Sequence, residues 1–216
     1  MYASLTTVRG GGPDVSTTAR MAAESMLTWL REFDGYRGLL VLGDPETGNA
    51  RIVSFWDSEE ALDRSEKSRR EVRESMVSAA GAELDSVVRY ELFLGQNFPT
   101  GRADPSARHE TPAVARFTTF EGPPASIQEG LRTFREDLVD WFRDATGFRG
   151  WLALLDVPEG KSIGITFWAT QEALDDDSAS GAVLRNEIAA GLDTEVTSVE
   201  LYEVMMIDLV TPDEAG

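Results

Sequence analysis

Shifted by 112 residues, the chain aligns on itself without a gap. Gly35-Tyr36-Arg37-Gly38 falls on Gly147-Phe148-Arg149-Gly150, and Phe55-Trp56 on Phe167-Trp168. Glu60-Ala61-Leu62-Asp63 falls on Glu172-Ala173-Leu174-Asp175, and Tyr90-Glu91 on Tyr202-Glu203. Thr6-Thr7 meets Thr118-Thr119, and Trp29 meets Trp141. Repeats of about 20–50 residues stack into solenoids, whereas a period this long repeats a whole folding unit. The copies are residues 2–93 and 114–205. Gly95–Pro112 is rich in Gly, Pro and polar residues and reads as a linker. The expected organisation is a first repeat over 1–94, a linker over 95–112, a second repeat over 113–208 and a tail over 209–216.

Each copy reads β-α-β-β-α-β. The first strands are Tyr2–Val8 and Val114–Phe120, each followed by a Gly/Pro break. Apolar residues then recur at helical spacing: Ala19, Ala22, Ala23, Met26, Leu27, Leu30 and Phe33 in one copy, Ile127, Leu131, Phe134, Leu138, Trp141, Phe142 and Ala145 in the other. Ser16 and Ser126 are placed to cap these helices, and Gly35 and Gly147 to end them in the left-handed region. Hairpins follow: Tyr36–Gly43 with Arg51–Trp56, and Phe148–Asp156 with Ser162–Trp168. Acidic helical segments over Ser58–Ala80 and Thr170–Ala190 are expected to break near Ser65 and Ser178. Strands Ser86–Leu94 and Glu195–Asp208 close the copies. This order is the split β-α-β unit, an antiparallel sheet with both helices on one face. The other face keeps apolar residues and needs cover. The predicted class is therefore α+β, with the two sheets meeting face to face within one chain as a monomer with an internal pseudo-twofold. Further self-association is left open.

Composition limits the function. The chain is 42% hydrophobic and carries a net charge of −18. Nucleic-acid binders need clustered Lys and Arg, so this balance argues against that role, and against docking on anionic membranes. No apolar run reaches the roughly 18 residues of a membrane span. Cysteine is absent, which removes thiolate catalysis and thiolate metal sites. With no signal-peptide pattern at the N-terminus, a cytoplasmic protein is expected. The single histidine, His109, lies in the linker segment, and no metal or cofactor site is expected around it.

The aromatic-Trp ending of the third strand, followed by Glu-Ala-Leu entering a helix, carries a resemblance. Phe55-Trp56-Asp57-Ser58-Glu59-Glu60-Ala61-Leu62 and Phe167-Trp168-Ala169-Thr170-Gln171-Glu172-Ala173-Leu174 resemble the dimeric α/β-barrel (ferredoxin-like) superfamily. More narrowly, they are similar to the antibiotic biosynthesis monooxygenase (ABM) domains. The resemblance covers about 1–94 and 113–208. It implies a small-molecule site and, in some members, oxidation of electron-rich aromatics without metal or flavin. It also implies that Trp56 and Trp168 face a pocket. An asparagine four residues earlier in the quinone-forming members is replaced here by Ile52 and Gly164. The histidine of the haem-degrading relatives is replaced by Glu66 and Ser178, so haem ligation of that kind is not expected.

Candidate residues follow from these readings. Trp56 and Trp168 either wall a pocket and stack on a planar ligand or anchor the core. Arg37 and Arg149 either clamp a carboxylate or phenolate or pair with a neighbouring acid. Tyr90 with Glu91, and Tyr202 with Glu203, alternate across a strand, so one type of each pair points inward. A buried Glu would serve as a general base and a Tyr as a proton donor; the plainer reading is a hydrogen-bonded pair. The catalytic set is thus Trp56, Tyr90, Glu91 and Trp168, and the substrate-binding set Arg37, Arg149, Tyr202 and Glu203. The partner expected is a small aromatic molecule. Three readings compete: a cofactor-independent monooxygenase, a non-catalytic ligand-binding or regulatory protein with degenerate sites, or an assembly module with no site. The second copy has lost basic residues, since Arg64, Lys67, Arg69 and Arg70 align with Asp176, Ala179, Gly181 and Ala182. The first copy is therefore the preferred site.

Overall fold

The computed structural model describes residues 1–10, 24–94, 113–133 and 145–209. The expected cap Ser16, the helix positions Ala19, Ala22, Ala23, Phe134, Leu138, Trp141 and Phe142, the linker and His109 lie outside them. The elements are β1 (Tyr2–Arg9), α1 (residues 24–30), β2 (Tyr36–Gly43), β3 (Ala50–Trp56), α2 (Glu59–Ala79) and β4 (Glu83–Leu94), then β5 (Val114–Glu121), α3 (Pro124–Thr133), β6 (Phe148–Asp156), β7 (Lys161–Trp168), α4 (Gln171–Gly191) and β8 (Glu195–Leu209). The α+β class and the ferredoxin-like element order are as the sequence predicts. The strands form one antiparallel sheet in the order β1-β3-β2-β8-β5-β7-β6-β4, and β1 also pairs with β4.

By contact the chain forms two compact units. Among the described residues, the first holds 1–10, 24–91 and 203–209, and the second 92–94, 113–133 and 145–202. The boundaries fall inside β4 and β8, so the last seven residues of β8 belong with β2 in the first unit, Leu40 opposite Ile207.

In the first unit, β1 and β2 flank β3, with Leu5 opposite Val53 and Leu40 opposite Val53. Consecutive residues Leu39 to Leu42 are all buried. Neighbours on a strand face opposite sides, so both faces of β2 are covered. Leu30, Tyr36, Leu39, Val41, Trp56, Ala61 and Leu62 form the core under the helices. Burying each Leu there is worth roughly 1.5–3 kcal/mol. In the second unit β5 and β6 flank β7 in the matching register, over a core cluster of Val114, Trp168 and Leu174.

The helices correct two expectations. Neither α2 nor α4 breaks at its serine. Ser65 Oγ donates to the Leu62 carbonyl at 2.8 Å, and Ser178 Oγ to the Leu174 carbonyl at 2.8 Å. Each hydroxyl is thus satisfied inside the helix instead of competing with it. Ser126 does not cap α3. The helix begins at Pro124, where a missing N–H costs nothing, and the Pro123 carbonyl accepts from Ser126 and Ile127. Ser58 Oγ and Thr170 Oγ1 cap α2 and α4, accepting from the amides of Ala61 (3.2 Å) and Ala173 (3.1 Å).

Gly35 and Gly147 adopt the expected left-handed φ, +83° and +81°. A β-carbon at Gly35 would stand 2.6 Å from Ala61 Cβ, and one at Gly147 2.5 Å from Ala173 Cβ. The glycine and the alanine of the Glu-Ala-Leu stretch are a steric pair. The glycine carbonyls also accept from Asp57 N at 2.8 Å and Ala169 N at 2.7 Å, fixing the strand-to-helix corner. Gly35→Ala is expected to destabilise by about 2 kcal/mol, combining the φ penalty with overpacking. A lower urea midpoint at unchanged m is the readout.

Tyr36 packs edge-on against Trp56, centroids 5.6 Å apart. Its buried hydroxyl has no hydrogen-bond partner among the described protein groups. Burial, and then the charge of Asp208, push its pKa well up. The second unit carries Phe148 there. Tyr36→Phe is therefore expected to raise stability by about 1 kcal/mol, by removing an unsatisfied buried hydroxyl. A fall in the thermal midpoint would contradict this.

Candidate functional site

Each unit holds a mostly apolar cavity lined by its sheet and helices. The first, about 100 Å³, is walled by Thr6, Leu39, Val41, Ile52 and Ser54 from strands, by Met26 and Trp29 from α1, and by Arg69, Arg73 and Met76 from α2. The second, about 110 Å³, is walled by Thr118, Trp151, Ala153, Gly164 and Thr166 from strands, Ile127 and Leu131 from α3, and Arg116 and Arg185. Six of these pairs stand 112 positions apart: Thr6 and Thr118, Leu39 and Trp151, Val41 and Ala153, Ile52 and Gly164, Ser54 and Thr166, Arg73 and Arg185.

The arginines are the chemistry of these cavities. In the first unit Arg69 is buried, its Cζ 4.9 Å from the centre of the Trp56 ring. It donates from Nε to Ser65 Oγ (2.9 Å), from Nη1 to Ser54 Oγ (3.1 Å) and from Nη2 to Glu66 Oε2 (2.7 Å). Arg73 Nη2 donates to the other oxygen of the same carboxylate, Glu66 Oε1, at 2.8 Å. One carboxylate thus bridges two guanidinium groups. Burial raises the pKa of Glu66, but the Arg73 hydrogen bond and the nearby arginine charges outweigh it and hold the carboxyl below its ordinary range. Burial lowers Arg69 to about 10, which leaves it charged at neutral pH. The Nε of Arg73 is buried without an acceptor.

The second unit reaches a similar end from different positions. Arg69 is replaced by Gly181, and the guanidinium comes instead from Arg116 on β5, where the first unit has Ser4. Arg116 Cζ lies 5.7 Å from the centre of the Trp168 ring. It donates to Asp177 Oδ2 (2.6 Å), the Leu174 carbonyl (3.1 Å) and Ser178 Oγ (3.1 Å). Asp177 and Ser178 replace Ser65 and Glu66. A β-carbon at Gly181 would lie 2.6 Å from Asp177 Oδ2, so glycine makes room for the carboxylate. Four positions have therefore changed together, and each unit keeps a buried cation on its strand-end tryptophan. The positions that departed from the haem-degrading pattern, Glu66 and Ser178, are arginine partners here.

The residues singled out from sequence fall elsewhere. Trp56 and Trp168 are fully buried, and neither lines a cavity. Their indoles donate to Ser54 Oγ (3.0 Å) and Thr166 Oγ1 (3.1 Å). They serve as the floor on which the arginines lie, not as the wall of the pocket. Arg37 pairs with Asp57 at 2.5 Å and donates to the Tyr36 carbonyl; Arg149 donates to that of Phe148. Neither reaches a cavity. Tyr90 and Tyr202 are buried, while Glu91 and Glu203 are exposed on the opposite strand face. Tyr202 donates to Glu200 and packs edge-on with Phe117, centroids 6.1 Å apart. The structure thus brings Trp56 together with Arg69 and Trp168 with Arg116, and leaves the other six outside the cavities. Among the described residues no cluster of three His, Asp or Glu side chains could hold a metal ion, and no helix is long and apolar enough to cross a membrane.

The sequence did hold a signal for the arginines. Ser4 against Arg116 and Arg69 against Gly181 are opposite exchanges in one alignment, which marks two positions sharing a role. Arg116→Met is expected to destabilise by about 3 kcal/mol, because the buried Asp177 carboxylate loses its 2.6 Å guanidinium partner. Adding Asp177→Ser, the residue of the first unit, is expected to restore most of that loss. Denaturant unfolding of all four members of the cycle measures the coupling, and additive effects would show that the pair contributes nothing.

No sequence-family model matches the chain, and no curated protein matches it. Solved structures do. An anthrone oxidase-like protein superposes with a TM-score of 0.65 at 13% identity, over 96% of this chain and 93% of its own. A candidate monooxygenase of Fusobacterium nucleatum superposes with a TM-score of 0.63 at 12% identity, over 96% and 94%. Another, of Lactobacillus acidophilus NCFM, gives 0.61 at 12%, over 97% of both chains. Identities this low speak for the fold alone. The chain has the ferredoxin-like, dimeric α/β-barrel fold of these proteins.

Proposed function

We propose that the chain binds a small, electron-rich aromatic molecule in the helix-covered cavity of its first unit and oxidises it with dioxygen, without a resident cofactor. The observation that carries this reading is a pair of charged guanidinium groups, Arg69 and Arg73, lining a mostly apolar cavity, one with an unpaired Nε–H. Apolar walls suit fused rings, and the arginines suit a phenolate or enolate oxygen.

In this chemistry the substrate supplies the electrons. An acidic methylene flanked by phenolic rings, as in an anthrone, loses a proton to give an enolate. Arg69 and Arg73 favour that anion in a site of low dielectric. The carbanion form passes one electron to dioxygen, the radical pair combines at carbon, and loss of water from the peroxide leaves a carbonyl. One methylene and one dioxygen give one carbonyl and one water, so no external reductant is consumed. The protein binds, orients and ionises the substrate.

A second reading, non-catalytic binding, has its own support: no carboxylate or imidazole lines either cavity among the described residues. Oxygen uptake separates the two. With dithranol and a panel of hydroquinones, uptake above the protein-free rate is expected, falling at least tenfold in kcat/KM for Arg69→Met, a loss of about 1.4 kcal/mol or more of transition-state stabilisation. Saturable quenching of tryptophan fluorescence with no uptake across the panel would favour the binding protein.

A further inference from the structure

The second cavity is chemically unlike the first. In the first unit Glu66 lies between Arg69 and Arg73 and neutralises part of each. In the second, the equivalent of Glu66 is Ser178, and among the described residues the carboxylate paired with a cavity arginine is Asp177, which is held by Arg116. Arg116 and Asp177 are both almost wholly buried, with side-chain exposures of 3% and 5%. That pair is internally matched. Arg185, at the position of Arg73, is left over: it lines the cavity and forms no ion pair or hydrogen bond with any described residue. Burial, and then the like charge of Arg116, hold its pKa below the ordinary arginine value, with Asp177 offsetting only part.

We propose that the second cavity is a distinct binding site for a small apolar monoanion of the aromatic carboxylate class, with Arg185 as its anion partner. The remaining lining fits such a ligand. Trp151 and Ile163 supply apolar wall, and Thr118 and Thr166 supply hydroxyl groups. Gly164, standing where the first unit has Ile52, widens the cavity on the sheet side. Arg185 is half-buried, so its charge is neither fully hydrated nor sealed in, and a carboxylate can meet its planar donors in two parallel hydrogen bonds. The net charge of −18 repels anions from the rest of the surface, so an anion that binds does so at a specific cation and with a defined stoichiometry. The site stands apart from turnover in the first unit and holds whether or not that unit oxidises anything.

The test uses the full chain, with 2-naphthoate as probe and 2-naphthamide as its neutral counterpart, by isothermal titration at neutral pH. With Arg69→Met and Arg73→Met in the background to remove the cations of the first cavity, the expected result is one naphthoate per chain, bound at least about tenfold tighter than the amide, the difference a charge-assisted hydrogen bond makes. Arg185→Gln removes that preference and leaves amide binding within about twofold. Gly164→Phe blocks the site from the opposite wall. A β-carbon at Gly164 meets only Phe120, at 3.7 Å, so this variant fills the cavity without a backbone clash. No naphthoate binding, equal binding of acid and amide, unchanged naphthoate affinity in Arg185→Gln, or binding that survives Gly164→Phe would each overturn the proposal.

Discussion

A buried guanidinium lying on a tryptophan holds each unit's site together. Strand β3 ends on Trp56 and β7 on Trp168, both with no exposed surface, so the indole face is a fixed, dry platform. A cation on such a face gains roughly 2 kcal/mol once desolvated, but desolvating it costs more unless every donor finds a partner. The surrounding polar residues follow from that requirement. Ser54, Ser65 and Glu66 accept from Arg69, and Asp177, Ser178 and the Leu174 carbonyl accept from Arg116. The serines that seemed set to break the helices are there to satisfy an arginine or their own turn.

This constraint explains which features were legible in the sequence. The element order could be read because strands and amphipathic helices announce themselves by period. The Gly35 and Ala61 pairing could be read as a motif, though not as a contact, because both partners repeat unchanged. The arginines were hidden for opposite reasons in the two units. Arg69 sits in a helix crowded with Arg64, Lys67, Arg70 and Arg73, so its burial cannot be told from the solvated charges around it. Arg116 and Asp177 are 61 positions apart, and nothing local in a strand reveals a partner on a later helix. The tryptophans were visible, but the arginines that cover them were not. A Trp at a strand end looks like pocket wall until the residue that covers it is known.

The same constraint redistributes the chemistry expected of the site. Once the arginines cover the indoles, the cavity sees guanidinium groups instead of π faces. Tyr90, Tyr202, Arg37 and Arg149 belong to the sheet and its corners, outside both cavities. The cavities themselves contain cations, hydroxyl groups and apolar walls. That composition suits substrates bringing their own acidity and electrons, and it suits ligands that are already anions.

The two solutions for placing the cation are not interchangeable one residue at a time. Introducing an arginine at Ser4 while Arg69 remains would put two guanidinium groups on one indole with one carboxylate between them. Removing Arg69 first would leave Glu66 with Arg73 alone and the Trp56 face bare. A residue larger than glycine at position 181 would press on Asp177, so the aspartate requires the glycine, and the strand arginine requires the aspartate. Each unit is therefore a locked set: Ser4, Ser65, Glu66 and Arg69 in one, Arg116, Asp177, Ser178 and Gly181 in the other. Where the buried cation stands on the strand its carboxylate stands with it, and Arg185, at the position of Arg73, lines the cavity. The asymmetry of the two sites is thus a direct consequence of keeping the same buried interaction in both.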